Sequence, residues 1–176
     1  MKKIFLLIIL GTVMISGAAL FADGLKKTSH FAFGGYLVEN AQDFGLGIDL
    51  TSPYFLWDHA AVRLSGEMSY DHLEWNISWL AKLGLIGSNT VMDDMIRLYA
   101  EGGALFIFPH TNLSDESWFF GGYGHFGFEF FIPENKWISY FIELGSIGTG
   151  FTAEKVSGTP HFINGFTSKA GLRIYF

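Results

Sequence analysis

The stretch "HAAVRLSGEMSY", His59 to Tyr70, sorts its residues by parity. Val62, Leu64, Gly66, Met68 and Tyr70 fall on one side, Arg63, Ser65, Glu67 and Ser69 on the other. Successive side chains of a strand point to opposite faces, so this alternation describes a strand with one apolar and one polar face. A helix would scatter both sets around its circumference. What each face meets decides the fold.

The same period recurs on both sides of this stretch. Toward the N-terminus lie His30–Val38 and Phe44–Leu50; toward the C-terminus lie Trp75–Ile86, Met95–Phe108, Trp118–Ile132, Trp137–Phe151 and Phe162–Phe176. That makes eight runs of roughly ten residues. The prolines at 53, 109, 133 and 160 all fall in the gaps, where a missing amide donor costs a sheet nothing. After the N-terminal stretch no segment offers 18 consecutive apolar residues, so a membrane-spanning helix is not expected. The chain reads as all-β.

The charges within the runs keep to one parity. Asp49, Glu67, Glu101, Glu129 and Glu143 stand against Arg63, Lys82, Arg97, Lys169 and Arg173, five of each sign, with His125 on the parity of Glu129. The first run carries no charge, so its faces stay unassigned. Surplus acid lies in the connections, at Asp93, Asp94, Asp115 and Glu116. Arg97 and Glu101 are about 13 Å apart along one strand, too far to pair. Each needs a partner on a neighbouring strand, with Arg63 and Lys82 the candidates for Glu101.

Composition narrows the setting. Aromatic residues make up 18% and glycines number 22, while charged residues make up only 16%. There is no cysteine, which excludes disulfides, thiolate catalysis and thiolate metal sites. "MKKIFLLIILGTVMISGAALFA" has two lysines, an apolar run and then small residues, the pattern of a secretory signal peptide. Residues 1–22 are therefore expected to be removed, leaving a domain over 23–176. The remainder has nine basic against seventeen acidic residues, a net charge of −8. An exported acidic chain without basic clusters is not expected to bind nucleic acid.

Two architectures fit the alternation, with opposite meanings. In a soluble barrel the apolar face is the core; in an outer-membrane barrel it meets lipid and the charges face inward. Runs of about ten residues match a tilted strand crossing the hydrocarbon. Tryptophans at run ends (Trp57, Trp75, Trp118, Trp137) suit the two interfacial girdles. Backbone in lipid must be fully paired, which favours closure with an even number of strands. The expectation is a closed antiparallel up-and-down transmembrane β-barrel of about eight strands.

The signal peptide, the eight runs and the final "KAGLRIYF" resemble the small bacterial outer-membrane barrels, the type that includes the membrane domain of OmpA, OmpX and OmpW. The resemblance implies a bacterial outer-membrane location in contact with outer-membrane lipid and a monomeric state. It also implies that Phe176, Ile174 and Leu172 form a signal read by the barrel-assembly machinery. The chain departs from the type in its expected connections, which are short on both sides.

Eight strands enclose a space just wide enough for side chains to fill. The interior set Asp49, Arg63, Glu67, Lys82, Arg97, Glu101, His125, Glu129, Glu143, Lys169 and Arg173 is therefore expected to form a paired network. The function read from this is non-enzymatic: an envelope role, or a narrow conduit for small solutes. The alternatives are a soluble periplasmic barrel binding an apolar ligand and a lipid A-modifying enzyme. The enzyme resemblance would need a His-x-Ser pair, but "GHFGFE" sets Gly127 where the serine would stand. His125 is expected to hydrogen-bond Glu129 or Glu143. The six histidines show no paired ligand spacing, so neither a metal nor a cofactor is expected.

Overall fold

The computed structural model describes residues 29–72, 75–92, 95–132 and 137–176. The signal-peptide expectation and the acidic pair Asp93 and Asp94 lie outside these residues. Eight strands follow in order: β1 (Ala32–Asn40), β2 (Asp43–Thr51), β3 (Ala60–Tyr70), β4 (Ile77–Val91), β5 (Ile96–Phe108), β6 (Phe119–Phe131), β7 (Ile138–Gly148) and β8 (Gly165–Tyr175). Each pairs antiparallel with the next, and β8 pairs with β1, closing the barrel.

The pairing register fixes the shape. Ala32 faces Thr51, and the walk continues through Arg63, Gly84, Gly103, Tyr123 and Ile147 to Gly165. The β1–β8 ladder, extended past Asn40↔Thr167, returns the walk to position 42, ten residues beyond its start. A shear of ten over eight strands tilts them by about 40° and sets a backbone radius of about 8 Å. An 11-residue strand such as β3 then rises about 28 Å along the axis. That spans the apolar band of an outer-membrane barrel.

The apolar parity faces outward. Ile48, Leu64, Leu83, Leu85, Phe126 and Leu172 are all exposed on the barrel wall, and the charged parity is buried. This is the inverse of a soluble barrel, whose apolar side chains would fill the centre. Trp57 and Trp137 sit at the end that carries Phe176, and Trp75 and Trp118 at the opposite end with Trp79 on the wall just below them, so both rims carry exposed indoles. Tyr36 points in and Phe33 and Leu37 point out, which assigns the faces of β1. One charge breaks the parity rule: Glu39, near the end of β1, lies on the outward face.

Three sequence expectations need correction. The fourth strand runs to Val91, five residues beyond the alternating run, because β5 supplies pairing partners as far as Ile96. The seventh and eighth strands stop at Gly148 and start at Gly165, so Phe151 and Phe162 leave the sheet. The connections are therefore not uniformly short: residues 149–164 fold inward over the barrel mouth. Gly165 has φ of 116°, a conformation other residues rarely adopt, where the chain re-enters the sheet.

Candidate functional site

The chemistry of this chain is concentrated inside the barrel. All eleven residues expected there are buried, none more than 4% exposed. They occupy successive storeys along the axis.

The storey nearest the termini is built on Arg97. Its Nη1 donates to Glu129 Oε2 and to the Tyr175 hydroxyl, both at 3.1 Å. Its guanidinium lies 4.3 Å over the Tyr54 ring and 4.9 Å over that of Phe131. Glu129 also accepts from the hydroxyls of Ser139 and Tyr175. Arg97 and Glu129 face each other directly across β5 and β6, as the sequence argument required.

The central storey joins strands across the lumen. Arg63 Nη1 donates to Glu101 Oε2 at 2.5 Å and to Glu143 Oε1 at 2.7 Å, while its Nε donates to Thr51 Oγ1 at 3.0 Å. Arg173 Nη2 reaches the same Glu143 oxygen at 3.0 Å, its Nε lies 3.5 Å from Asp49, and its guanidinium lies 3.8 Å from the Phe141 ring centre. Tyr99 donates to Glu143 at 2.6 Å. Glu101 thus pairs with Arg63, one of the two candidates, but not on a neighbouring strand. Arg63 on β3 reaches over β4 at Gly84, where a Cβ would lie 2.5 Å from Glu101 Oε1. The glycine makes the path.

The next storey is built on Glu67. Lys82 Nζ donates to its two oxygens at 2.6 and 2.7 Å, Lys169 Nζ lies 3.1 Å away, and the Tyr36 hydroxyl donates at 2.9 Å. Lys169 also lies 3.6 Å from Glu143 Oε2, linking this storey to the central one. His125 departs from expectation: it makes no hydrogen bond through either ring nitrogen, and its Nδ1 stands 3.8 Å from Glu143. Glu129 has turned to the terminal storey, held there by Arg97 and Tyr175, so it cannot serve the histidine.

Above these charges the interior becomes apolar. Leu80, Leu105, Ile107 and Ile147 from the strands pack with Leu113, Phe151, Phe162 and Ile163 from the connections. Two connections are pinned to each other over this cluster. The Ser114 hydroxyl and the Asp115 amide both donate to Glu154 at 2.8 Å, and Lys155 donates to the Thr111 carbonyl at 2.8 Å. Those two hydrogen bonds, the Asp115 amide first, hold the Glu154 carboxyl below its ordinary range. Beside the cluster, Asp43 accepts from the His72 amide at 3.2 Å, and the His72 ring packs 5.9 Å from Phe162.

Charge parity alone did not single out the tyrosines that complete the network. Tyr36, Tyr99, Tyr123 and Tyr175 each donate to an interior carboxylate. Their parity was the available signal: Tyr99 stands between Arg97 and Glu101, and Tyr175 two residues beyond Arg173.

No protein-family model matches the chain, and no curated protein matches it in sequence. Solved structures do match in shape. The N-terminal β-barrel domain of Pseudomonas aeruginosa OprF superposes with a TM-score of 0.59 at 13% identity, covering 85% of this chain and 98% of that one. The fold is that of a small transmembrane β-barrel. The outer membrane protein OprG from the same organism gives 0.60 at 12% identity, covering 87% and 98%. A de novo designed transmembrane β-barrel gives 0.59 at 8% identity, covering 86% and 99%.

Proposed function

We propose that this chain is an integral, non-enzymatic protein of the bacterial outer membrane whose barrel is closed to solutes and acts through its surface in the envelope. The observation that carries this reading is the succession of buried groups along the interior: an aromatic-capped arginine, two ion-paired storeys and an apolar plug. A conduit needs a continuous polar path, and the apolar cluster at the mouth interrupts it. An acyl-transfer site is unsupported because His125 is enclosed and Gly127, where a serine would stand, packs against the Tyr99 ring.

Planar-bilayer recordings test the closed state. The wild-type barrel gives at most brief, small openings, and removal of residues 151–163 leaves it poorly conducting because the ion-paired storeys remain. A large, steady conductance in the wild type would overturn the closed-barrel reading. Location is tested separately: the mature protein partitions with outer membranes, resists urea washing and runs compactly on unboiled gels. Recovery in a soluble periplasmic extract would overturn the membrane assignment.

A further inference from the structure

His125 is 4% exposed and neither ring nitrogen has a hydrogen-bond partner. A buried imidazole with two unmet polar atoms is costly, so its surroundings matter. Glu101 lies directly opposite it on β5, and on the β7 side it faces Gly145, where a Cβ would overlap the ring. The ring therefore occupies the space over Gly145, beside Glu143.

The two carboxylates are divided in their use. Arg63 takes Oε2 of Glu101 and Oε1 of Glu143, and the latter oxygen also carries Arg173 and Tyr99. The remaining oxygens are less committed: Glu101 Oε1 accepts from Tyr123, and Glu143 Oε2 faces His125 and Lys169. One ligand atom from each of Glu101, His125 and Glu143 lies within 4.8 Å of the other two. A tetrahedral ion with bonds of about 2.0–2.2 Å spaces its ligands about 3.4 Å apart, so the trio must close by about 1.5 Å at most. Binding therefore requires rotations of these three side chains of that size, with Glu101 Oε1 released from Tyr123. One imidazole with two carboxylates suits a divalent ion of the zinc class and not calcium or magnesium, which take oxygen ligands.

We propose that Glu101, His125 and Glu143 form an internal binding site for one zinc-class divalent ion, which joins strands β5, β6 and β7. Lys169 is the competitor. Its ammonium stands 3.6 Å from Glu143 Oε2, and the ion takes over that oxygen while Lys169 stays with Glu67 at 3.1 Å. Because the ion adds charge to a storey already balanced, Lys169 limits its affinity. Sequence spacing could not show this site, since its three ligands come from three strands and share no local motif.

Cobalt serves as the visible probe and zinc as the diamagnetic one, each supplied during refolding in detergent so that the ion need not cross the closed barrel, with the folded state checked by unboiled gel mobility. The wild type takes up one Co²⁺ per barrel with tetrahedral d–d bands. His125→Gln lowers that affinity by about 100-fold, at least the loss seen when an outer-shell partner of a ligand is removed. Lys169→Met tightens binding about tenfold or more, by removing the competing cation. Zn²⁺ raises the Tm of Lys169→Met, and the His125→Gln/Lys169→Met double variant loses that rise. The proposal is overturned if the wild type binds no ion, if binding appears only in Lys169→Met, or if His125→Gln retains wild-type bands and affinity.

Discussion

Glu67→Gln is the most informative single change in the interior. The carboxylate receives Lys82 at 2.6 and 2.7 Å, and Lys169 and Tyr36 at 3.1 and 2.9 Å. Lys169 has Glu143 as a second carboxylate, but among the described residues Lys82 has none within ion-pairing distance. Glutamine keeps the shape and one acceptor while removing the charge, so it orphans a buried ammonium. Breaking a buried pair from one side costs about 3–5 kcal/mol. We expect Glu67→Gln to cost about 4 kcal/mol. Glu101→Gln should cost about half as much, because Arg63 retains Glu143 at 2.7 Å. Adding Lys82→Met to Glu67→Gln should recover at least half of the loss, since the orphaned charge disappears with it. The measurement is equilibrium urea unfolding in lipid vesicles, followed by tryptophan fluorescence and unboiled gel mobility. Equal costs for the two glutamine variants, or no recovery in the double variant, would refute the idea that unshared partners set the stability of each storey.

Gly84→Ala should destabilise by about 1–3 kcal/mol and lower refolding yield, because its Cβ would lie 2.5 Å from Glu101 Oε1 and 2.9 Å from Glu101 Cγ; unfolding curves that overlay the wild type would show that the path over β4 is wider than described. Phe162→Ala should cost about 3 kcal/mol, measured as faster proteolysis within 149–164 before global unfolding, since its ring is 2% exposed in the plug. Acidification should loosen the same plug: the folded Glu154 carboxyl is held below its unfolded value, so its contribution is present above about pH 4.3 and is lost as pH falls through the folded pKa. Protection factors at Asp115 and Glu154, corrected for the intrinsic pH dependence of amide exchange, that are unchanged between about pH 6 and about pH 3 would contradict this. Phe176→Ala should lower assembled yield more than Phe166→Ala, an equally outward ring on β8 (61% and 63% exposed); equal losses would remove any special signalling role from the last residue.

The sequence by itself determined that there are eight strands and that, in every strand but the first, the charges share one face; the strand ends and the faces of β1 came from the structure. Period-two alternation carries that information locally, residue by residue, as Val62 to Tyr70 already displays. It also determined that charges facing a lumen this narrow must be balanced. It could not determine who pairs with whom, because partners are set by register and shear: Arg63 meets Glu101 over Gly84 and Glu143 across the lumen, at sequence separations that no local pattern encodes. Nor could it separate Phe151 and Phe162 from the strands. Phe162 shares the outward parity of Phe166 and Phe151 the inward parity of Ile147, so parity offered no sign that both leave the sheet to fill the barrel mouth. The tyrosine hydroxyls and the unpaired imidazole of His125 follow the same rule. Parity placed them on the face of the charges, and the tertiary structure decided that this face is the inside and what each of them touches.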